Sequence, residues 1–266
     1  MRWPISVFVL VVLVAGMLLS PHSLGQSEAP PASATPPPVS GYHYQSEQEQ
    51  QLQDDSFANP GLLWVDQGRS LFNRATEAPS CASCHETAGT FQHTATTFPK
   101  WHAPSIQLFN LERQINHCRT TRQALDPLPY ESDALLGLSA YVANLAKGNR
   151  WQVNFAAPQL QPHLQAGRRY YYTRRGQLNL ACHHCHELNP GRMLRGDRLS
   201  QGHSNGYPAY KLEWQTVGSL HRRLRDCDVG VRAEPFPAGS TQYLDLELYL
   251  AWRAQGLEIE TPAVRR

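Results

Sequence analysis

Two short turns constrain this chain more than any other feature of its 266 residues: Cys81-Ala82-Ser83-Cys84-His85 and Cys182-His183-His184-Cys185-His186. Each has the C-x-x-C-H spacing, with two thiols on one turn and an imidazole directly behind them. Thiols so placed add to the two vinyl groups of a haem, and the histidine that follows reaches the iron from the proximal side. A thioredoxin-like dithiol or a zinc ribbon would also use paired cysteines, but both motifs run straight into His and neither lies in a βαβ pattern. The motifs therefore predict two covalently bound haem c groups, attached through Cys81 with Cys84 and Cys182 with Cys185. His85 and His186 are the first iron ligands.

Each iron then needs a sixth ligand or an open position. Beyond Met1 and Met17 the chain has only Met193, seven residues after His186, so a pair of His/Met haems is excluded by composition. The two remaining cysteines fall at comparable distances: Cys118 is 33 residues past His85, and Cys227 is 41 past His186. Thiolate ligation is one reading of them. An interdomain Cys118–Cys227 disulfide is a second, favoured in an oxidising compartment. Bis-histidine ligation is a third, since His102 and His203 each stand seventeen residues past a motif histidine, with His117 and His221 near the cysteines.

Apolar spacing repeats around the two motifs. Leu62 to Asn73 reads as a helix entering the first motif, and Ser132 caps a helix carrying Leu135, Leu138, Tyr141, Val142 and Leu145, with Gly148 beyond it. In the second half Gln165 to Arg174 enters the motif, and Ser240 or Thr241 caps a helix through Leu244, Leu248, Tyr249 and Trp252. Gly68-Arg69 and Gly167-Arg168 precede their first cysteines by thirteen and fifteen residues. The expected fold is mainly α, with two tandem cytochrome c-like domains, 57–150 and 151–266, each holding one haem. Asn149, Pro158 and Pro162 are expected to interrupt any helix at the junction.

Ahead of these lies a leader. Arg2, an apolar run from Ile5 to Leu19 and the small-residue site Ser23-Leu24-Gly25 have the order of a secretory signal, and the run is short for a membrane span. Residues 1–25 are read as a signal peptide directing export to the periplasm. Residues 26–56, rich in Pro, Ser and Gln, are read as a tether.

The formal net charge of +2 hides an asymmetry. Residues 26–150 hold 8 Lys and Arg against 12 Asp and Glu, and residues 151–266 hold 15 against 10, so the second half is the one prepared for an anion. Its arginines cluster before a cysteine, in His221-Arg222-Arg223-Leu224-Arg225-Asp226-Cys227, with Arg232 close behind. There is no recognition helix or RNA-binding signature, so no nucleic-acid partner is expected.

The longer run from Tyr207-Pro208-Ala209-Tyr210-Lys211-Leu212-Glu213-Trp214-Gln215, through Gly218-Ser219-Leu220 to Cys227 and on to Val231-Arg232-Ala233-Glu234-Pro235-Phe236, resembles the SoxA family of SoxAX cytochromes. Leu111-Glu112-Arg113-Gln114-Ile115-Asn116-His117-Cys118-Arg119 resembles that family's stretch after the first motif. The resemblance spans roughly residues 60 to 256. It implies His85 with Cys118 on the first iron and His186 with Cys227 on the second. Members with one haem lack the first attachment motif, which this chain keeps. It also implies that Cys227 is the catalytic, substrate-carrying sulfur, often a persulfide, and that Arg223 contacts substrate.

The activity so implied is an L-cysteine S-thiosulfotransferase. Thiosulfate is joined to a cysteine of the SoxYZ carrier protein, and two electrons pass through haem to a cytochrome c acceptor. The implied partner subunit is a monohaem cytochrome c of the SoxX type, paired as a heterodimer. Two other readings use the same residues: a dihaem thiosulfate dehydrogenase forming tetrathionate, and a dihaem cytochrome that only carries electrons.

Overall fold

A computed structural model describes residues 37–75, 78–85 and 91–266. The expected signal peptide lies outside them. Among the described residues no helix is long and apolar enough to cross a membrane.

Among the described residues nine α-helices carry the fold: α1 Glu47–Asp54, α2 Leu62–Asn73, α3 Cys81–Cys84, α4 Leu111–Arg122, α5 Asp133–Leu145, α6 Gln161–Tyr172, α7 Cys182–His186, α8 Leu220–Gly230 and α9 Thr241–Arg253. Two short antiparallel pairs, β1 Lys100–His102 with β2 Gln107–Phe109 and β3 Met193–Leu194 with β4 Asp197–Arg198, lie between them. A third sheet has the order β6-β5-β7, from Thr216–Gly218, Ala209–Lys211 and Ala263–Arg265.

The repeat read from sequence is a repeat in space. Helix α2 packs on α5 and α6 on α9, and in each pair a glycine lets the backbones touch. A Cβ on Gly68 would stand 1.9 Å from the carbonyl oxygen of Gly137, and one on Gly167 would stand 2.0 Å from that of Asp245. No side chain fits at either crossing. Val65, Phe72, Leu138 and Tyr141 fill the first core, and Tyr171, Leu246, Tyr249 and Leu250 the equivalent part of the second. Ser132 caps α5 as expected, accepting from Leu135 N–H. Pro162 opens α6 instead of interrupting it, because a first-turn residue needs no N–H donor.

The stretch expected to be a tether is folded from residue 37 onward. Ser46 and Glu49 form a reciprocal capping box that starts α1. The segment is tied to the far end of the chain: Val264 N–H donates to Gln53 Oε1 at 3.0 Å, and Asn59 Nδ2 to Pro262 O at 3.0 Å.

Each half braces the helix caps of the other with a carboxylate. Asn110, the N-cap of α4, donates from Nδ2 to Glu247 of the second half at 3.1 Å. Ser219, the N-cap of α8, gives its hydroxyl and its N–H to Glu131 of the first half. His221 Nε2 lies 2.9 Å from Glu247 Oε2, and its Nδ1 accepts from Gly239 N–H at 2.9 Å. Beside this junction a cavity of about 50 Å3 is walled by residues of both halves, Glu112 and Glu247 among them.

Candidate active site

Helix α8 is the centre of the second site. Ser219 Oγ accepts from Arg222 N–H at 3.1 Å and fixes the helix start. Near the other end, Asp228 is buried and accepts from Tyr170 Oη at 2.7 Å, Tyr243 Oη at 2.8 Å and Arg175 Nε at 3.2 Å. Cys227, the residue before it, is thereby held on a helix anchored at both ends. Its sulfur faces α7: the charge it would carry raises the thiols of Cys182 and Cys185, behind burial, which pushes Cys182 up to about 12. The same charge is the leading cause that holds the Arg223 guanidinium protonated.

The motif histidine is set by the loop that follows. His186 Nδ1 lies 2.8 Å from Ser200 O, and because a carbonyl only accepts, Nδ1 carries the proton and Nε2 keeps its lone pair. Gly202, at φ +72°, closes against the ring so tightly that a Cβ would meet His186 Cγ at 2.7 Å. Burial, then the charges of Arg223 and Arg253, lower its pKa to about 4, so the ring is neutral. Arg253 braces the loop: Nη1 donates to Gln201 O at 3.0 Å, Nη2 pairs with Glu187 at 3.4 Å, and the guanidinium lies 4.4 Å over Tyr171. A neutral imidazole with a free Nε2, two thiols on one turn, a facing cysteine and walls of Tyr171, Leu220 and Leu224 suit a covalently held haem.

The first site has the same plan. Ser80 caps α3, accepting from Ser83 N–H at 3.1 Å, and His85 packs edge-on against Phe91 at 4.8 Å. Cys118 raises the Cys81 thiol, second to burial, so these sulfurs too are neighbours. Cys118 Sγ accepts from Gln114 Nε2 at 3.3 Å. Cys118 is the eighth residue of α4 and Cys227 the eighth of α8, so Gln114 and Arg223 occupy the same place, one turn before the sulfur.

All six cysteines are free, so Cys118 and Cys227 are not joined. His221 Nδ1 accepts from Gly239 N–H and its Nε2 lies 2.9 Å from Glu247 Oε2, His203 Nε2 lies 2.9 Å from Gln201 Oε1, and His102 stacks on Phe109 with Nδ1 against Ser105 and meets His117 edge-on.

The arginines separate cleanly. Arg222 lies 4.3 Å over the Trp214 ring, and Arg225 Nη1 donates to Phe236 O. Arg232 adopts φ +59° in the turn after α8. Among the described residues the Arg223 guanidinium has no hydrogen-bond or ion-pair partner, although it is half-buried beside Cys227. Asp228, Gly202 and Arg253 escaped the sequence reading. Of these only Gly202 left a signal, a glycine outside any helical pattern shortly after a haem motif.

Residues 67–150 match the family described as SoxA/TsdA, cytochrome c domain. The L-cysteine S-thiosulfotransferase subunit SoxA of Pseudaminobacter salicylatoxidans is 37% identical over 231 residues, 86% of this chain and 81% of that one. The subunit of the same name from Paracoccus pantotrophus is 35% identical over 228 residues, 85% and 78% of the two chains. The chain belongs to the SoxA family. In three dimensions it matches the crystal structure of SoxXA from P. pantotrophus with a TM-score of 0.82 at 34% identity, covering 86% of this chain and 87% of that one. As a SoxA-family member it is mainly helical and has a cytochrome c domain, the kind that binds haem c covalently. The relatives extend the match well beyond the cytochrome domain at 67–150, across most of the chain.

Proposed function

We propose that the chain is the catalytic subunit of an L-cysteine S-thiosulfotransferase, with two tandem cytochrome c domains, 57–150 and 151–266, and one haem c in each. Cys81, Cys84, His85 and Cys118 would hold the first haem, and Cys182, Cys185, His186 and Cys227 the second. When bound, haem c supplies one-electron transfer beside the reacting sulfur.

The observation that carries this reading is Arg223. It is a cation unpaired among the described residues, one helical turn before Cys227, suited to hold the sulfonate end of thiosulfate by charge-assisted hydrogen bonds. That grip presents the terminal sulfur of thiosulfate to Cys227 Sγ. A sulfur–sulfur bond then forms between them, and the two electrons released pass to a cytochrome c acceptor. The carrier cysteine of SoxYZ attacks the terminal thiosulfate sulfur as its thiolate, forming the new sulfur–sulfur bond and breaking the one to Cys227. Cys227 leaves as thiolate, ready for another cycle. The resemblance to SoxXA supports a SoxX-type monohaem subunit as the heterodimer partner, and the leader supports a periplasmic location.

The test is conjugation. The purified heterodimer with thiosulfate, SoxYZ and a cytochrome c acceptor should load the carrier cysteine, and omission of the carrier should leave thiosulfate unconsumed. Tetrathionate formed without carrier would make the protein a thiosulfate dehydrogenase instead. Haem content per chain should be two, falling to one in Cys81→Ala/Cys84→Ala.

A further inference from the structure

Arg223 and Asp226 are three residues apart on α8, the spacing at which opposite charges on a helix meet and pair. They do not pair. The Asp226 carboxylate turns to Trp214, whose Nε1–H donates to Asp226 Oδ2 at 2.8 Å. The indole has little freedom to let go. Arg222 lies 4.3 Å over the ring and Lys211 5.0 Å over it, with the Lys211 ammonium held by Glu213 at 2.9 Å. On the β-strand beside it, Gly218 leaves the ring its room, since a Cβ there would stand 2.4 Å from the Trp214 ring and 2.9 Å from Arg222 Cδ.

We infer that Trp214 is a positioning residue for substrate binding: by engaging Asp226 it keeps the neighbouring carboxylate off Arg223, so that the guanidinium stays open to the sulfonate of thiosulfate. An unengaged Asp226 is an internal rival for that guanidinium, since a carboxylate and a sulfonate ask for the same donors. It also repels an incoming dianion. The inference rests on the functional reading above and adds to it the device that keeps the anion site vacant.

Steady-state conjugation by the complete heterodimer, with SoxYZ and acceptor saturating and thiosulfate varied, reads this directly. Trp214→Phe keeps an aromatic ring for Arg222 and Lys211 to cover and removes the N–H along with part of the indole's bulk. It should raise the KM for thiosulfate roughly three- to tenfold, a part of the loss expected when the guanidinium itself is removed, with kcat within about twofold. Adding Asp226→Asn in that background should return KM to the wild-type value, whereas Asp226→Asn alone should scarcely move it. Asp226→Glu, whose longer side chain reaches past the indole towards Arg223, should raise KM as Trp214→Phe does, and it serves if the tryptophan variant loses haem or fails to fold.

A KM unmoved in both Trp214→Phe and Asp226→Glu overturns the inference. So does a loss confined to kcat, or a double variant that is not rescued, since a merely structural tryptophan would behave that way. Absence of thiosulfate turnover in the wild-type heterodimer, or an Arg223→Gln variant with unchanged KM, would instead overturn the functional reading and this inference with it.

Discussion

Cys118 and Cys227 are the eighth residues of two equivalent helices, α4 and α8, each capped at its start by a polar side chain and each facing a C-x-x-C-H turn. What differs is the side chain one turn earlier. Gln114 spends its amide on the Cys118 sulfur at 3.3 Å, leaving a neutral, self-satisfied pair. Arg223 brings a full charge to Cys227 and, among the described residues, has no hydrogen-bond or ion-pair partner for its donors. The second helix is also held more firmly, since three donors converge on buried Asp228 directly behind the sulfur. At the equivalent place in the first helix, Arg119 only donates to the Asp126 carbonyl at 3.2 Å on the surface. A duplicated scaffold supplies a cysteine facing a haem motif in both halves. On the proposed reading, local charge is what would make one of them an anion site.

The largest test of that contrast removes each sulfur in turn. Cys227→Ala should lower conjugation at least about 10³-fold, as loss of a group that forms the covalent bond does, while Cys118→Ala leaves most turnover in place. Each variant should lose one low-spin thiolate signal from the ferric spectrum, and both haems should stay attached because the motif cysteines are untouched. Arg223→Gln copies the first site into the second. Loss of a charge-assisted contact of about 1.5–3 kcal/mol should lower kcat/KM for thiosulfate roughly 10- to 100-fold, mostly through KM. Arg223→Lys, which keeps the charge and loses the planar fork, should fall between.

How much of this the sequence carries depends on the range of the interaction. The C-x-x-C-H spacings, the repeated helix pairs and the Ser132 cap are written in spacings of a few residues and in a period of 3.6, and the structure has a short helix at each motif, the two helix pairs and the cap. The fold's N-terminal edge was hidden because polar composition masks a capping box: Ser46 and Glu49 have the right spacing, but no apolar run follows to announce α1. The partners of Cys227 are harder still. Asp228 is satisfied by Tyr170, 58 positions away, and Arg175, 53 away, and the indole that engages Asp226 comes from a hairpin that only the sheet places there. Nothing local distinguishes Arg223 from Arg222 or Arg225. Only three dimensions show that Trp214 and Phe236 occupy the other two.

The equivalence of the scaffolds can be tested apart from chemistry. Gly68→Ala and Gly167→Ala each drive a methyl into a facing carbonyl, and each should cost about 1–3 kcal/mol as the helix pair is forced apart, read as a fall in melting temperature. A duplicated architecture requires comparable losses. A crossing that tolerates alanine while the other does not would show that one half has its packing from elsewhere.

The effect most particular to the junction concerns the second residue of each helix: Glu112 in α4 and His221 in α8. Both are buried where the halves meet, with Glu247 and Glu131 close by. His221 Nδ1 accepts from Gly239 N–H, so the ring gains a second proton only by losing that bond, and it is a weak counter-charge for the carboxylates. Burial, then the charge of Glu247, push the Glu112 carboxyl from 4.5 up to about 7, against a smaller pull from His221. The folded state therefore holds this proton more tightly than the unfolded chain. Stability from this group is complete below pH 4.5, is lost as pH rises towards 7 and levels off above it, a change on the order of 3 kcal/mol. Glu112→Gln keeps the shape without the charge, so its advantage over the wild type in urea denaturation should grow from little at pH 4.5 to most of that amount at pH 8. Parallel pH profiles for the two proteins would mean that another carboxylate of the junction, Glu131 or Glu247, takes the proton, and the same substitution at those positions would identify it.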